Sequence, residues 1–122
     1  MIELPTIIKN PIAPIDLVKY SGASGDFNEI HTVPAVAQSQ GLSGIIVHGM
    51  FVMGWAAAAI EEWFPNQQLK SLSVRFQAVT HTETVLKITG TMLTENEGEV
   101  WIEDNQGNSK LKGAFVLKDS QK

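Results

Sequence analysis

The sequence contains no cysteine, and this absence excludes several kinds of site at once. Disulfide bonds, thiolate metal ligands and a cysteine nucleophile all require the missing side chain. The three histidines are His31, His48 and His81, which stand well apart in the chain. Because a protein metal site needs several such ligands close together, we expect no bound metal ion.

Positive charge and long apolar runs are also scarce. Arg75 is the single arginine, and the net charge of the chain is −4, whereas nucleic-acid binding requires clustered basic side chains. The longest apolar stretch, residues 50–60, is far shorter than the ~20 residues that a membrane span needs. The N-terminal residues lack the basic and apolar segments of a signal peptide. We therefore expect a cytoplasmic protein that binds neither nucleic acid nor membrane.

The composition that remains is that of a globular protein, with 43% hydrophobic and 18% charged residues. A chain of 122 residues suits one domain, which we place over residues 1–122. The first half predicts a short strand in residues 1–10, a helix from Pro14 to about Gly22 and a helical turn over residues 34–40. A long apolar helix is predicted over residues 49–64, where Pro65 stops it.

The second half predicts strands. Apolar and polar residues alternate over residues 71–78, and the pattern returns over residues 84–94, 98–104 and 109–118. We expect a four-strand antiparallel meander that wraps the apolar helix, which is an α+β fold. A sheet this small leaves its edges and part of the helix uncovered, so we also expect a symmetric dimer.

The segment SGDFNEIH, residues 24–31, combines a carboxylate, an amide and an imidazole. Taken alone, Asp26 is a common turn-forming residue and His31 a half-buried histidine with its hydrogen bonds satisfied. On one bent loop, the same two side chains are also able to hold a water molecule between them. Gly49 opens the long helix, where backbone N–H groups are unpaired and no side chain hinders the approach of a ligand.

Residues 20–54, YSGASGDFNEIHTVPAVAQSQGLSGIIVHGMFVMG, resemble the signature of the MaoC-like dehydratases, the (R)-specific enoyl-thioester hydratases of the hot-dog superfamily. The shared pattern has an aromatic residue, an SGD stretch, an Asn and a His two and five residues after the Asp, and an HGM that opens the central helix. The resemblance implies a hot-dog fold, in which an antiparallel β-sheet wraps a long central helix. It also implies reversible syn hydration of a trans-2-enoyl thioester, without a cofactor.

The resemblance implies a role for particular residues. Asp26 and His31 match the catalytic pair, and Gly49 matches the glycine whose N–H binds the thioester carbonyl. Three residues are expected to support the loop and the helix entry: Asn28, Ser24 and His48. Met50 is expected to contact substrate in the acyl tunnel.

The sequence departs from the family pattern at two places. Glu29 stands where many relatives have proline, which adds charge to the loop. The Pro-Gly-Asp turn that is common before the next strand is replaced at residues 81–84. His81 has no evident partner in the sequence and is interpreted as a surface turn residue.

Three functions fit these patterns. The first is a hydro-lyase of fatty-acid metabolism that acts on acyl-CoA or acyl-carrier-protein thioesters, as a homodimer or beside a second hot-dog subunit. The second is a non-catalytic hot-dog module that binds acyl thioesters or completes a heteromeric dehydratase, against which the presence of both Asp26 and His31 argues. The third, thioester hydrolysis, would need a carboxylate within the central helix, and residues 50–60 contain none.

Overall fold

The structure is a computed structural model that describes residues 1–119. Its elements, in chain order, are β1 (Ile2–Lys9), α1 (Pro14–Ser24), a 3-10 turn (Glu29–His31), α2 (Pro34–Ser39), α3 (Gly49–Trp63), β2 (Leu69–Phe76), β3 (Leu86–Met92), β4 (Glu97–Asp104) and β5 (Ser109–Leu117). This order confirms the predicted α+β class and the long central helix. The predicted helix boundaries differ from these by one or two residues, as is usual where helices end.

The five strands form one antiparallel sheet in the order β1-β3-β4-β5-β2. Only β3, β4 and β5 follow one another as a meander, so the predicted four-strand meander is wrong. The edge of β3 that β2 would need is taken by β1, with Ile7 opposite Ile88. β2 pairs with β5 instead and lies at the opposite edge of the sheet, so residues 77–85 connect that edge to β3, the strand next to β1.

The central helix α3 packs on the sheet through one stripe. Its buried residues recur at the spacing of a single helix face: Val52, Ala56, Ala59 and Ile60. The sheet contributes fully buried side chains from β3, β4 and β5, among them Ile88, Ile102 and Phe115. At the far end of α3, the Trp63 indole N–H donates to the Pro5 carbonyl at 2.8 Å and ties the helix to β1. Throughout residues 1–119, no helix is both long and apolar enough to cross a membrane.

Strand β2 ends at Phe76, two residues earlier than the alternating pattern predicts. The chain then leaves the sheet, and residues 77–85 run beside the irregular segment that precedes α3. The two segments are joined by a β-bridge between Ile46 and His81 and by the Val47 N–H, which donates to the Thr80 carbonyl at 2.7 Å. This contact brings the loop after β2 to the N-terminus of α3, where the predicted site residues lie.

Candidate active site

The loop that carries Asp26 is bent by a series of local hydrogen bonds. Helix α1 ends in Gly25, whose φ of 78° is the left-handed conformation that glycine adopts without strain. Beyond it, the Asp26 N–H donates to Ser24 Oγ at 3.2 Å, the Asn28 N–H to Asp26 Oδ1 at 3.2 Å, and the Ile30 N–H to Asn28 Oδ1 at 3.2 Å. Each polar side chain thus accepts a hydrogen bond from the backbone two residues onward, which is how such side chains shape turns. Ser24 and Asn28 thus shape the backbone on either side of Asp26, and their support of catalysis stays a prediction.

The His31 imidazole is buried and is oriented by a backbone carbonyl. Its Nδ1 lies 2.8 Å from the Ile46 oxygen, and because a carbonyl only accepts, Nδ1 carries the proton. In the neutral ring Nε2 then holds a lone pair, and it faces Asp26 Oδ2 at 3.8 Å. This separation is too long for a direct hydrogen bond but suits an oxygen atom that bonds to both groups.

Asp26 and His31 are therefore able both to shape the loop and to hold a water molecule between them. Asp26 uses Oδ1 to shape the turn and presents Oδ2, while His31 uses Nδ1 to bind the backbone and presents Nε2. The carboxylate side chain is 53% exposed, and the imidazole is 8% exposed. The pair consequently sits at the boundary between solvent and core.

His48, the residue before α3, packs on the His31 ring and contacts the backbone of Asp26. Its ring stacks on that of His31, with centroids 3.7 Å apart and planes inclined by 18°. Its Nε2 lies 3.3 Å from the Asp26 carbonyl oxygen and 3.1 Å from Ser21 Oγ, so Nε2 carries the proton and donates it. His48 therefore fixes the Asp26 backbone to the start of α3, next to Gly49.

The environment of His48 favours its neutral form. Burial lowers the pKa of the imidazole, the nearby His31 lowers it further, and the Asp26 carbonyl and carboxylate oppose this shift more weakly. Within the part of the chain that the structure describes, the buried Nδ1 of His48 has no hydrogen-bond partner. A proton added there would find no acceptor, which agrees with the direction of the shift.

Asp26, His31 and His48 also include potential metal ligands, whose atoms all lie within 4.8 Å of one another. The two imidazole planes are nearly parallel, so their in-plane lone pairs run side by side and do not converge on one point. A tetrahedral metal ion needs convergent ligands. The geometry therefore does not suit a metal ion, and the expectation that none binds stays a prediction.

Gly49 and His31 meet at one cavity, which Asp26 does not line. The cavity, of about 360 Å³, is lined by His31 and Gly49, by apolar side chains such as Val52 and Phe76, and by Lys110. Across residues 1–119, the Gly49 N–H has no protein acceptor, as expected for the first turn of a helix. A Cβ at Gly49 would lie 3.2–3.5 Å from atoms of the Phe76 ring, so the absence of a side chain keeps this approach open.

Sequence reasoning missed several neighbours of the site. The predicted isolation of His81 is wrong: it is half buried, and its ring contacts Ser43 Oγ and the Ile45 oxygen. The Ile46 carbonyl and Ser21 belong to the site because the fold brings distant segments together, and no local pattern marks them. Met50 is 61% exposed and does not line the cavity with His31 and Gly49, so its contact with substrate stays a prediction.

Comparisons with known proteins identify the family and the fold. The family model for the MaoC like domain matches residues 3–111. A relative, 3-hydroxyacyl-thioester dehydratase X of Mycobacterium tuberculosis, is 40% identical over 65 residues, which are 53% of this chain and 22% of that protein. The chain thus spans only about a fifth of the length of this curated relative.

Two solved structures share the fold over nearly their whole length. The (R)-hydratase from A. caviae involved in PHA biosynthesis has a TM-score of 0.81 and 17% identity, with 97% of this chain and 94% of that chain covered. A chain of the ChsH1-ChsH2 complex from Mycobacterium tuberculosis has a TM-score of 0.80 and 20% identity, with 97% and 95% covered. These likenesses confirm the predicted hot-dog fold.

Proposed function

This chain belongs to the family of MaoC-like domains, and from that premise and the site geometry we propose that it is a hydro-lyase of acyl thioesters. The proposed reaction is the reversible syn addition of water to a trans-2-enoyl thioester, carried by coenzyme A or an acyl carrier protein in fatty-acid metabolism. The observation that carries the proposal is that His31 and Gly49 line one largely apolar cavity, while Asp26 Oδ2 lies 3.8 Å from His31 Nε2.

In the hydration direction, the substrate water would lie between His31 Nε2 and Asp26 Oδ2. The water oxygen bonds to the β-carbon, and one of its protons passes to the lone pair of Nε2. The Asp26 carboxylate accepts a hydrogen bond from the remaining O–H and stabilises the imidazolium that forms. His31 then returns the proton to the α-carbon from the same face, which gives syn addition and balances the atoms of one water.

The negative charge of this step develops on the thioester oxygen. The Gly49 N–H points from the positive end of α3 and has no competing protein acceptor among residues 1–119. Removal of one such donor typically costs about 3–4 kcal/mol of transition-state stabilisation. The apolar cavity walls would exclude bulk water and so strengthen this interaction.

The test is a spectrophotometric assay with purified chain and short or medium trans-2-enoyl-CoA, in which hydration removes the conjugated absorbance. We expect Asp26→Asn and His31→Ala to lower kcat per folded molecule by about 10²–10⁴-fold. Asp26→Asn should change the midpoint of urea unfolding little, whereas His31→Ala, which removes a buried ring, should lower it. Glu29→Gln is the matched control, because it removes a neighbouring loop carboxylate that lies outside the pair. Equal rates for the wild type and both pair variants would rule out the proposed mechanism.

An association with a second hot-dog subunit is also proposed. Among residues 1–119, strands β1 and β2 each have one unpaired edge, and several large apolar side chains are exposed: Phe27, Met50, and the cavity residues Phe76 and Val79. A structural neighbour comes from a complex of two different chains, ChsH1 and ChsH2. Light scattering distinguishes the cases: a mass of twice 13.3 kDa with activity supports a homodimer, whereas activity that appears only with a partner chain supports a heteromer.

A further inference from the structure

His81 lies in the loop between β2 and β3, at the segment where the sequence departs from the family pattern. Its Nδ1 lies 3.1 Å from the Ile45 carbonyl oxygen, and its Nε2 lies 3.3 Å from Ser43 Oγ. Because the carbonyl only accepts, Nδ1–H donates to it, and Nε2 accepts from the Ser43 hydroxyl when the ring is neutral. Both ring nitrogens are therefore used to hold the segment that precedes α3.

The same segment holds His31. The carbonyl of Ile46, the residue next to Ile45, accepts the proton of His31 Nδ1 at 2.8 Å. Two imidazoles from distant parts of the chain thus donate to adjacent carbonyls of one short stretch of backbone. The bond from His31 decides which of its nitrogens is protonated, and therefore which one faces Asp26.

The position of the Ile46 carbonyl depends on the loop that contains His81. Ile46 forms a β-bridge with His81, and the next N–H, that of Val47, donates to the Thr80 carbonyl. On the other side, the Ile46 N–H donates to the Ile30 carbonyl at 3.1 Å. Within residues 1–119, the side chain that binds a carbonyl next to Ile46 is that of His81.

We propose that His81 is a positioning residue for His31. Through the Ile45–Ile46 peptide it places the carbonyl that keeps the proton on His31 Nδ1 and leaves the Nε2 lone pair for the substrate water. The expected effect on turnover rests on the proposed function, whereas the effect on the protonation of the His31 ring does not. The two are measured separately.

The experiment compares His81→Asn with His81→Gln. The asparagine amide places an N–H near the position of Nδ1, where it reaches the Ile45 oxygen, whereas the glutamine amide extends toward Ser43 in place of Nε2. Nitrogen-15 NMR at pH 8 reports the tautomer of His31, and the enoyl-CoA assay reports kcat and KM. We expect wild type and His81→Asn to show the Nδ1–H tautomer. His81→Gln is expected to give a mixture of tautomers, a kcat about tenfold lower and a nearly unchanged KM.

Two outcomes of the NMR measurement would overturn the proposal. A wild-type tautomer in His81→Gln, with or without a loss of rate, means that His81 does not act through His31. Equal effects of Asn and Gln mean that the donor at Nδ1 is not the relevant group.

The two measurements also distinguish this proposal from the proposed function. If the wild type lacks turnover both alone and with a partner chain but His81→Gln still changes the tautomer, the hydratase function fails and the positioning role stands. If turnover requires Asp26 and His31 but neither the rate nor the tautomer responds to His81→Gln, the hydratase function stands and the positioning role fails.

Discussion

The β3–β4–β5 meander and the loop of residues 25–48 are held together by different means. The meander is an antiparallel ladder with one register shift, between Ile102 and Glu103, and inward side chains such as Val100 and Leu111 are fully buried in the core. The loop has little regular structure, and its shape depends on hydrogen bonds between single side chains and the backbone: Asn28 Oδ1 accepts from the Ile30 N–H, and His31 Nδ1 donates to the Ile46 carbonyl.

We therefore expect the two regions to serve different purposes: the meander stabilises the fold, and the loop orients the reacting groups. In the meander, stability is distributed over many similar contacts, and each buried side chain contributes mainly through the apolar area that it removes from water. In the loop, single groups fix the orientation of Asp26 and His31, and a displacement of about 1 Å is enough to lower a rate by about 10²-fold. We therefore expect substitutions in the meander to change the free energy of unfolding, and substitutions in the loop to change turnover.

The largest stability effect is expected for Ile102→Ala in the meander. Ile102 is fully buried, so the truncation removes apolar contact and leaves a cavity, at a cost of about 2–5 kcal/mol. The rate per folded molecule should stay at the wild-type value, because Ile102 does not line the cavity that contains His31. Urea unfolding and the hydratase assay measure the two quantities.

Ile102→Val is the matched control, with an expected cost of about 0.5–1.5 kcal/mol. A loss of turnover in Ile102→Ala, after correction for the unfolded fraction, would mean that the meander also orients the site. The proposed separation between the two regions would then be wrong.

A pair of glycine substitutions tests both regions with the same added methyl group. A Cβ at Gly98 would lie 2.5 Å from a ring carbon of buried Phe115 and 2.8 Å from Met92 Sδ, so Gly98→Ala should cost about 1–3 kcal/mol of stability without changing turnover. A Cβ at Gly49 meets the Phe76 ring at 3.2 Å, where the half-exposed ring is able to move.

Gly49→Ala should therefore fold normally, because Gly49 already has the helical backbone that alanine favours. The methyl group stands beside the N–H that would bind the thioester oxygen, so kcat/KM should fall by about 10²-fold. Unfolding curves should show a loss of stability for Gly98→Ala alone, and initial rates should show a loss of kcat/KM for Gly49→Ala alone. A Gly49→Ala enzyme with wild-type kcat/KM would remove Gly49 from the proposed mechanism.

The elements of the meander were predictable because their signal is local. The alternation of apolar and polar residues around Ile88, Val100 and Ile102 shows which face of each strand is buried, whichever strand lies beside it. Glycine and asparagine mark the turns between the strands. The position of β2 was not predictable in this way. Which edge a strand occupies depends on the other strands that compete for it, and here β1 takes the edge of β3.

The site was predictable only where its residues follow one another in the chain. Asp26, Asn28 and His31 lie within six positions, and the family pattern adds Gly49. The carbonyl of Ile46 binds His31 through a tertiary contact, and the side chain of His81 binds the neighbouring carbonyl of Ile45. No local pattern distinguishes these two groups, whereas His48, whose ring stacks on His31, was singled out by the HGM of the family pattern.

The pH dependence of stability should also separate the regions. Burial lowers the pKa of His48 below its usual 6.5, so the unfolded chain binds this proton more readily than the folded protein. The stability that neutral His48 contributes is present above pH 6.5 and decreases as the pH falls below it. In the meander, the hydrogen bond from the Asn108 N–H is the main cause that lowers the pKa of Asp104 below 3.8, so its contribution is lost only at more acidic pH.

Urea unfolding from pH 8 to pH 3 measures both steps. His48→Gln keeps an N–H near Ser21 and should remove the loss of stability that begins near pH 6.5. Asp104→Asn should run parallel to the wild type there at lower stability and converge with it below pH 4, where the wild type loses the contribution of this carboxylate. A His48→Gln curve parallel to that of the wild type between pH 7.5 and 5.5 would assign the upper step to another group.

The smallest expected effect lies where the two regions meet. Glu83, in the loop that enters β3, has a φ of 66°, a left-handed conformation that costs a non-glycine residue about 1–2 kcal/mol. Glu83→Gly should relieve this strain and, after the greater freedom of glycine in the unfolded chain is subtracted, raise stability by up to about 1 kcal/mol. Glu83→Ala keeps the strain and should give no gain. The Glu83 N–H, which donates to the Ile12 carbonyl at 2.9 Å, is present in all three proteins, so the loop should keep its path. A Glu83→Gly protein that is more stable but turns over more slowly would mean that the strained residue rigidifies the segment that contains His81. That segment would then belong with the site loop, and the boundary between the two regions would lie at the start of β3.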